Sequence, residues 1–268
     1  MVQLSRYQGL GQFGRAYQIM LENSPDPPCS VEGVWTRQMI RLCPETVAYL
    51  YAEYTLTELR YERGSRQELE QYVQAATAGC RTDEDKIAGI VRFCAKLQER
   101  ATDDLDKMRF GGMEEEIIAR GSDWCPEIAR VGCVLFQIAG LPARLVMLLN
   151  LAQAYSGHVL TEVYRRGAWG TVCPQTDCIY LHPDGRPAST WDLQNDSALI
   201  EAHQLEGRRS YTTVGQFTGA AIANYFVWEW RQYQYPVSPI NDYYRSILEM
   251  SLHAWPGGLR WLHGEDQA

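Results

Sequence analysis

One cysteine of the chain stands where a thiol could act as a nucleophile. Residues 121–126 read Gly-Ser-Asp-Trp-Cys-Pro, a turn of small and polar residues that leads into a segment with helically spaced apolar side chains. Pro126 suits a first helical position, so the pattern places Cys125 at the N-terminus of a helix. The unpaired N–H groups and the positive end of the helix dipole favour a thiolate there, and we expect Cys125 to be the most reactive thiol. The same N–H groups could receive an oxyanion.

A histidine supplies the second part that a thiol nucleophile requires. His158 lies within residues 156–160, Ser-Gly-His-Val-Leu, at the start of a predicted strand where Gly157 lets another element come close. An imidazole takes the proton of a thiol, and the imidazolium then stabilises the thiolate. A lone histidine at a strand end is more often a structural group. The presence of a helix-start thiol in the same domain favours the catalytic interpretation.

Four separated motifs resemble the transglutaminase-like superfamily, whose core is papain-like. They are residues 121–130 (GSDWCPEIAR), 140–144 (GLPAR), 157–158 (GH) and 167–172 (GAWGTV), and the match covers residues 82–192. The resemblance implies that Cys125 is the nucleophile and His158 the base, and that residues 140–144 lead from the nucleophile helix into the sheet. The expected chemistry is acyl transfer or amide hydrolysis through a Cys125 thioester, with Trp124 and Cys125 around the substrate and the oxyanion. The expected substrate is a peptide or a small acyl or amide compound.

The third motif departs from the family at the position of the acid. The family has an Asp before Pro that orients the histidine, whereas residues 169–174 read Trp-Gly-Thr-Val-Cys-Pro and place Cys173 there. If Arg166 and Gly167 form a two-residue turn, Arg165 pairs with Ala168 and His158 comes opposite Gln175. Cys173 then lies on the face of the sheet that carries His158, diagonal to it at a Cβ separation of roughly 7 Å or less. A neutral thiol is a weak acceptor and carries no charge to stabilise an imidazolium.

Three interpretations of Cys173 remain open from the sequence. The chain could be an enzyme with a Cys-His dyad, helped by another acid such as Asp177 or Glu162. It could instead be a catalytically degenerate binding protein on the same scaffold. In the third interpretation, Cys125, His158 and Cys173 form a Cys2His site with an open position that suits zinc, although we expect no cofactor in the first two.

Other candidate motifs are weaker. Residues 9–14 match the dinucleotide-binding spacing GxGxxG, but no buried strand precedes them, so a glycine-rich leader is the better interpretation. Cys173, Cys178 and His182 have no second CxxC pair to make them a metal loop, and His182 is expected at a solvated strand end. Arg144 begins a strand after Pro142, and we favour a structural role for it.

The elements that must position these residues follow from periodicity and capping signals. Helices are predicted over 44–63, 65–78, from a capping box at Thr82 onward, and from Pro126 to Gly140; strands are predicted over 145–149, 159–164 and 168–172. This order predicts an α+β fold with a nucleophile helix packed on an antiparallel sheet. The predicted regions are a mainly helical part (1–81), a transglutaminase-like core (82–200) and an aromatic-rich helical part (201–268) packed on the core.

Composition excludes several classes of function. The chain has 268 residues, 46% of them hydrophobic, and a formal net charge of −8, which argues against a nucleic-acid partner. No apolar segment reaches the roughly 18 residues that a membrane span needs, and the first residues lack the pattern of an export signal. We therefore expect a cytoplasmic protein whose eight cysteines are mostly free. The sequence does not predict an oligomeric state.

Overall fold

An antiparallel sheet organises the protein in the computed structural model. The structure describes residues 40–53, 59, 61–102, 112–150, 155–201 and 219–223. Its strands are β1 (Ile40–Leu42), β2 (Ala143–Asn150), β3 (Tyr155–Arg165), β4 (Ala168–Cys173), β5 (Cys178–Ile179) and β6 (Gly219–Ala223). Their order across the sheet is β1-β6-β2-β3-β4-β5, and every neighbouring pair is antiparallel.

Helices cover one face of this sheet. They are α1 (Gln67–Ala76), α2 (Asp83–Ala95), α3 (Glu114–Arg120) and α4 (Cys125–Ile138), with a 3-10 turn at Lys96–Arg100. The helix α4 packs on β2 and β3, and α1, α2 and α3 pack around α4. Because α4 is enclosed by the sheet and by these helices, nearly all of its side chains are buried, and apolar residues such as Val131 and Phe136 form the centre of the main core.

The opposite face carries a second apolar cluster. Val146, Leu148 and Leu160 point from the strands toward it, and Leu193 and Leu199 cover it from α5 (Thr190–Asn195) and α6 (Ala198–Glu201). A π-helical turn at Tyr49–Glu53 adds Leu50 to the same cluster. Side chains alternate between the faces of a strand, so even-numbered positions 158, 160 and 162 of β3 lie on this second face.

The central elements confirm the predicted α+β class. The predicted helix after Trp124 is α4, and the three predicted strands lie within β2, β3 and β4. Thr82 forms a capping box with Asp85 at the start of α2, as its sequence pattern predicts. Arg166 and Gly167 both have positive φ values, 50° and 78°, which makes the two-residue reversal between β3 and β4.

Strands β1 and β6 were absent from the sequence prediction. Residues 219–223 form β6, which pairs with both β1 and β2, so the prediction of a mainly helical C-terminal part is wrong for this segment. Its residues Gly-Ala-Ala-Ile-Ala have no β-branched alternation, and alanine is the best helix former, so local propensity points away from the pairing that tertiary contacts impose. The sheet therefore takes strands from all three predicted regions.

Some predictions concern parts of the chain outside the described residues. The glycine-rich motif at 9–14 and most of the aromatic-rich segment 211–261 lie there. Among the described residues, no helix combines the length and the apolar character of a membrane span.

Candidate functional site

The N-terminus of α4 is built around a buried carboxylate. Glu127, in the first turn of α4, accepts hydrogen bonds from Ser122 Oγ and from Arg120 Nη2, both at 2.5 Å. The backbone N–H of Trp124 donates to Ser122 Oγ at 3.1 Å. The loop before Cys125 is thus fastened to the helix that follows it. The amide of Trp124 is committed to this arrangement, which leaves the N–H of Cys125 itself as the better candidate for an oxyanion donor.

The turn between β4 and β5 also holds the loop before Cys125 in place. Gln175 is buried, and its Nε2 donates to the carbonyl of Asp123 at 2.6 Å. Gln98 Nε2 donates to the carbonyl of Gln175 at 2.5 Å and so ties this turn to the 3-10 turn after α2. Sequence reasoning named Gln175 only as the partner of His158 in the hairpin and missed this role. The contact spans 52 residues, and only the tertiary fold shows it.

The sulfur of Cys125 lies against the start of β3. Cys125 is half-buried as a residue, but its thiol faces the interior, where the N–H of Val159 and its own N–H donate to the sulfur. Burial raises the pKa of the Cys125 thiol to about 12, and the two N–H groups only partly oppose that effect. The expectation that the helix N-terminus makes Cys125 a thiolate is therefore wrong for the resting protein. The N–H of Val159 carries no sequence signal and could not have been predicted.

The hairpin brings His158 and Cys173 into contact. Arg165 pairs with Ala168 and Thr161 with Val172, which is the predicted register. His158 Nε2 lies 3.2 Å from Cys173 Sγ, and both residues are buried. The structure thus confirms the predicted juxtaposition. The N–H of Val159, the residue after His158, donates to the Cys125 sulfur, and the nearby Cys173 thiol also raises the pKa of Cys125.

The pair is neutral at rest. Burial lowers the pKa of His158 to about 4, and burial likewise raises the pKa of the Cys173 thiol. The N–H groups of Gln175 and Thr176 and the Thr176 hydroxyl face the Cys173 sulfur and act in the opposite direction on its pKa. The Thr176 hydroxyl is buried and has no hydrogen bond of ordinary geometry to any of the described residues. The surroundings of Cys173 therefore resemble an Asx turn, which suits an acceptor side chain such as a carboxylate.

The two acids considered as helpers of His158 are placed differently. Glu162 Oε1 accepts from the Tyr51 hydroxyl at 2.7 Å and from the N–H of Thr190 at 2.8 Å, while Oε2 accepts from Arg144 Nε at 2.8 Å. Glu162 is fully engaged in this network and is not available to orient His158, so that alternative is wrong. Asp177 ends the turn before β5 with a φ of 53°, and its charge acts on the neighbouring Cys178.

Arg144 has the structural role that its sequence position favours. It is buried, and beyond Glu162 it donates from Nη1 to the carbonyl of Leu50 at 2.7 Å. Its guanidinium carbon lies 4.0 Å from the ring centroid of Trp169 and 4.8 Å from that of Tyr51. These two stacking contacts fix the arginine between the sheet and the π-helical turn.

The metal alternatives receive no support from the described part of the chain. No group of three or more His, Cys, Asp or Glu side chains there is arranged to hold an ion, and this includes Cys125 with His158 and Cys173. His182 is half-buried rather than solvated, and its Nε2 lies 3.3 Å from Asp192 Oδ2. Its backbone N–H donates to Arg186, which closes the turn over 183–186.

Comparisons of the chain with protein-family models, with curated proteins and with solved structures find no match of any of the three kinds. The function must therefore be argued from the geometry of the site.

Proposed function

We propose that the chain is a transglutaminase-like cysteine acyltransferase or hydrolase in which Cys125 is the nucleophile and His158 the base. The observation that carries the proposal is that a helix-start thiol and a buried His–Cys pair both contact neighbouring residues of β3, Val159 and His158. His158 Nε2 and Cys173 Sγ are 3.2 Å apart, and the Val159 N–H beside His158 donates to the Cys125 sulfur. A nucleophile, a base and an orienting partner are the parts that covalent acyl transfer needs.

Cys125 and His158 are both neutral in the resting protein, so the proton moves from the thiol to the imidazole during the attack on the substrate. Because the thiol of Cys125 is protonated at neutral pH, His158 must accept its proton as the sulfur adds to the substrate carbonyl. The N–H of Cys125 at the start of α4, which donates to the sulfur at rest, would be released as the sulfur adds to the carbonyl and would receive the tetrahedral oxyanion. Its collapse expels the leaving amine or alcohol, which takes the proton from the imidazolium, and leaves a thioester on Cys125.

With Cys173 as its partner, His158 can carry its proton on either ring nitrogen, whereas the carboxylate of the family would favour a single tautomer. A carboxylate only accepts a hydrogen bond, so it holds the proton on Nε2 and leaves Nδ1 free to receive the proton of the nucleophile. A thiol can also donate to Nε2, which stabilises the other tautomer and leaves no lone pair on Nδ1. We therefore propose an enzyme with a weakened triad that works from a fraction of its histidine population.

The nature of the acceptor decides between hydrolysis and transfer. Water releases the thioester as an acid, whereas a primary amine converts it into an amide. We propose a peptide or a small acyl or amide compound as the donor, in keeping with the negative net charge and the absence of basic runs.

An activated ester tests the proposal directly. The protein is mixed with p-nitrophenyl acetate, quenched at intervals, and examined by intact-mass measurement and peptide mapping, with and without ethylamine in the solution. We expect a transient acetyl adduct on Cys125 that is lost in the Cys125→Ala variant and kept in Cys80→Ala, a matched control at another half-buried thiol. His158→Ala should slow acylation by roughly 10²- to 10⁴-fold. Acylation at other cysteines, with Cys125 unmodified, would refute the proposal.

A catalytically degenerate binding protein is the second candidate. The observation that favours it is the combination of a Cys125 pKa near 12 with a His158 pKa near 4, which leaves no thiolate in the free protein. It would gain support if Cys125 resisted acylation while Cys173→Asp restored it, since the scaffold would then be competent and only the acid missing.

A further inference from the structure

Cys173 has a second neighbour besides His158. In the β4–β5 hairpin, Cys173 is the direct cross-strand partner of Cys178, and both side chains belong to the apolar cluster on the second face of the sheet. Directly paired residues of antiparallel strands have Cα atoms about 4.5 or 5.5 Å apart, depending on the kind of pair. Both separations lie within the range of roughly 4.4–6.8 Å that disulfides span.

The hairpin is a place where small adjustments are feasible. The strand β5 has two residues and lies at the edge of the sheet, and a four-residue turn joins it to β4. An edge strand moves without disturbing a further ladder on its outer side. Cys178 is 8% exposed and Cys173 is not exposed at all, so an external reagent meets Cys178 first.

We infer that Cys173 and Cys178 form a reversible disulfide that removes the Cys173 sulfur from His158 and thereby switches the site. In the reduced protein the sulfur contacts Nε2 at 3.2 Å. A disulfide bond of about 2.05 Å to Cys178 draws the sulfur toward β5 and takes away its proton. The imidazole ring then loses its contact with the Cys173 sulfur. This consequence for catalysis rests on the proposed function, whereas the disulfide itself does not.

The oxidant is a small disulfide of the glutathione class. The Cys178 sulfur attacks one sulfur of the small disulfide, whose S–S bond breaks, and the first small thiolate leaves with the proton of Cys178 as a thiol, which gives a mixed disulfide. The Cys173 sulfur then attacks the Cys178 sulfur, and His158 accepts the proton of Cys173 and passes it to the second departing thiol. Two protein thiols lose two hydrogen atoms, and one small disulfide becomes two small thiols. The reverse sequence restores the dithiol.

The test uses the full chain in mixtures of reduced and oxidised glutathione. After acid quenching and alkylation of free thiols, cleavage on the N-terminal side of Asp177 separates Cys173 from Cys178, so a disulfide keeps the two peptides joined. We expect the joined pair to increase with the proportion of oxidised glutathione, to disappear with dithiothreitol, and to be absent from Cys178→Ser. Cys80→Ser is the matched control and should keep the link.

Several results would overturn the inference. These are a mixed disulfide that stays on Cys178 without joining Cys173, a link from Cys173 to Cys125, oxygen addition at Cys173, or a reduced pair under conditions that modify the half-buried Cys80. A link that forms equally well in denatured protein would show that the fold does not select it and would also overturn it.

A second readout separates this inference from the proposed function. Acylation of Cys125 by p-nitrophenyl acetate should slow by on the order of tenfold or more on oxidation of the unmodified protein, and should be unaffected in Cys178→Ser. If the disulfide forms and Cys125 is never acylated in the reduced protein, the proposed function fails and the disulfide stands. If Cys125 is acylated and no link forms, only the switch fails. If the link forms and acylation is unchanged, the switch fails as well.

Discussion

Two buried polar pairs lie on the same face of the sheet, four residues apart on β3. Glu162 forms an ion pair with Arg144, with Oε2 2.7 Å from Nη2. The carboxylate also accepts hydrogen bonds from the Tyr51 hydroxyl and from the N–H of Thr190. His158 meets Cys173 at 3.2 Å with no charge on either side. The first pair is ionic and densely hydrogen-bonded, and the second is neutral.

The difference shows what this face of the protein tolerates. A charge is buried there only where an opposite charge and several hydrogen bonds compensate its desolvation, as they do for Glu162. At His158 no charged partner is in the pair, so burial drives the imidazole to its neutral form. The protein has a buried carboxylate close to its site and uses it for structure, which leaves the acceptor position of the histidine to a thiol.

The largest expected effect comes from breaking the ionic pair. Glu162→Gln leaves the guanidinium of Arg144 buried without a counter-charge, and we expect the free energy of unfolding to fall by about 3–5 kcal/mol. Urea unfolding at pH 7 measures it. Glu84→Gln removes an exposed ion pair with Arg166 and should cost less than about 1 kcal/mol. Equal losses of unfolding free energy in the two variants would mean that the buried Glu162 network stabilises the protein no more than an exposed ion pair does.

The neutral pair should make the protein sensitive to acid. The pKa of His158 is about 4 in the folded state and near 6.5 when unfolded, so the unfolded chain binds the extra proton between these values. The contribution of His158 to the free energy of unfolding is fully present above pH 6.5. It is lost as the pH falls toward 4, by roughly 2–3 kcal/mol.

Urea unfolding between pH 7 and pH 4 measures this loss by comparison with His158→Gln, which lacks the titrating group. Tyr72→Phe is the control, because its hydroxyl, whose pKa is raised above 10, does not titrate in this range, and the variant should keep the acid loss of the unmodified protein. Parallel stability profiles for the unmodified protein and His158→Gln would contradict the assignment of a depressed pKa to His158.

A smaller effect tests how far the ionic pair depends on its outer hydrogen bonds. Tyr51→Phe removes the hydroxyl that donates to Glu162 at 2.7 Å, and we expect a loss of about 1.5–3 kcal/mol because the acceptor is charged. Tyr72→Phe removes a hydroxyl that donates to the exposed Glu68 at 3.1 Å. Its cost should be below about 0.5 kcal/mol. A Tyr51→Phe variant as stable as Tyr72→Phe would show that Arg144 and Thr190 suffice for Glu162.

Local signals in the sequence were sufficient for the parts of the site that neighbouring residues determine. Pro126 and the apolar spacing after it predicted α4, and Arg166-Gly167 predicted the turn whose register brings Cys173 to His158. These features depend on helix capping and on turn type, which a few adjacent residues determine.

The rest depends on contacts between distant segments. The alanine-rich β6 becomes a strand only because β1 and β2 flank it. The Val159 N–H at the Cys125 sulfur is a backbone group that any residue other than proline would supply. The sequence pattern at residues 121–126 favours a thiolate, but the pKa of Cys125 follows from its burial under the sheet, which no local pattern encodes.

The most direct test of the account is an NMR titration of the His158 ring in the unmodified protein, in Cys173→Asp and in Cys173→Ser. The central claim is that Cys173 occupies the acceptor position of the histidine. We expect a pKa of about 4 in the unmodified protein and a value higher by about 1–3 units in Cys173→Asp, with the proton held on Nε2. Cys173→Ser, which adds no charge, should stay close to the unmodified protein. An unchanged pKa and tautomer in Cys173→Asp would contradict the claim.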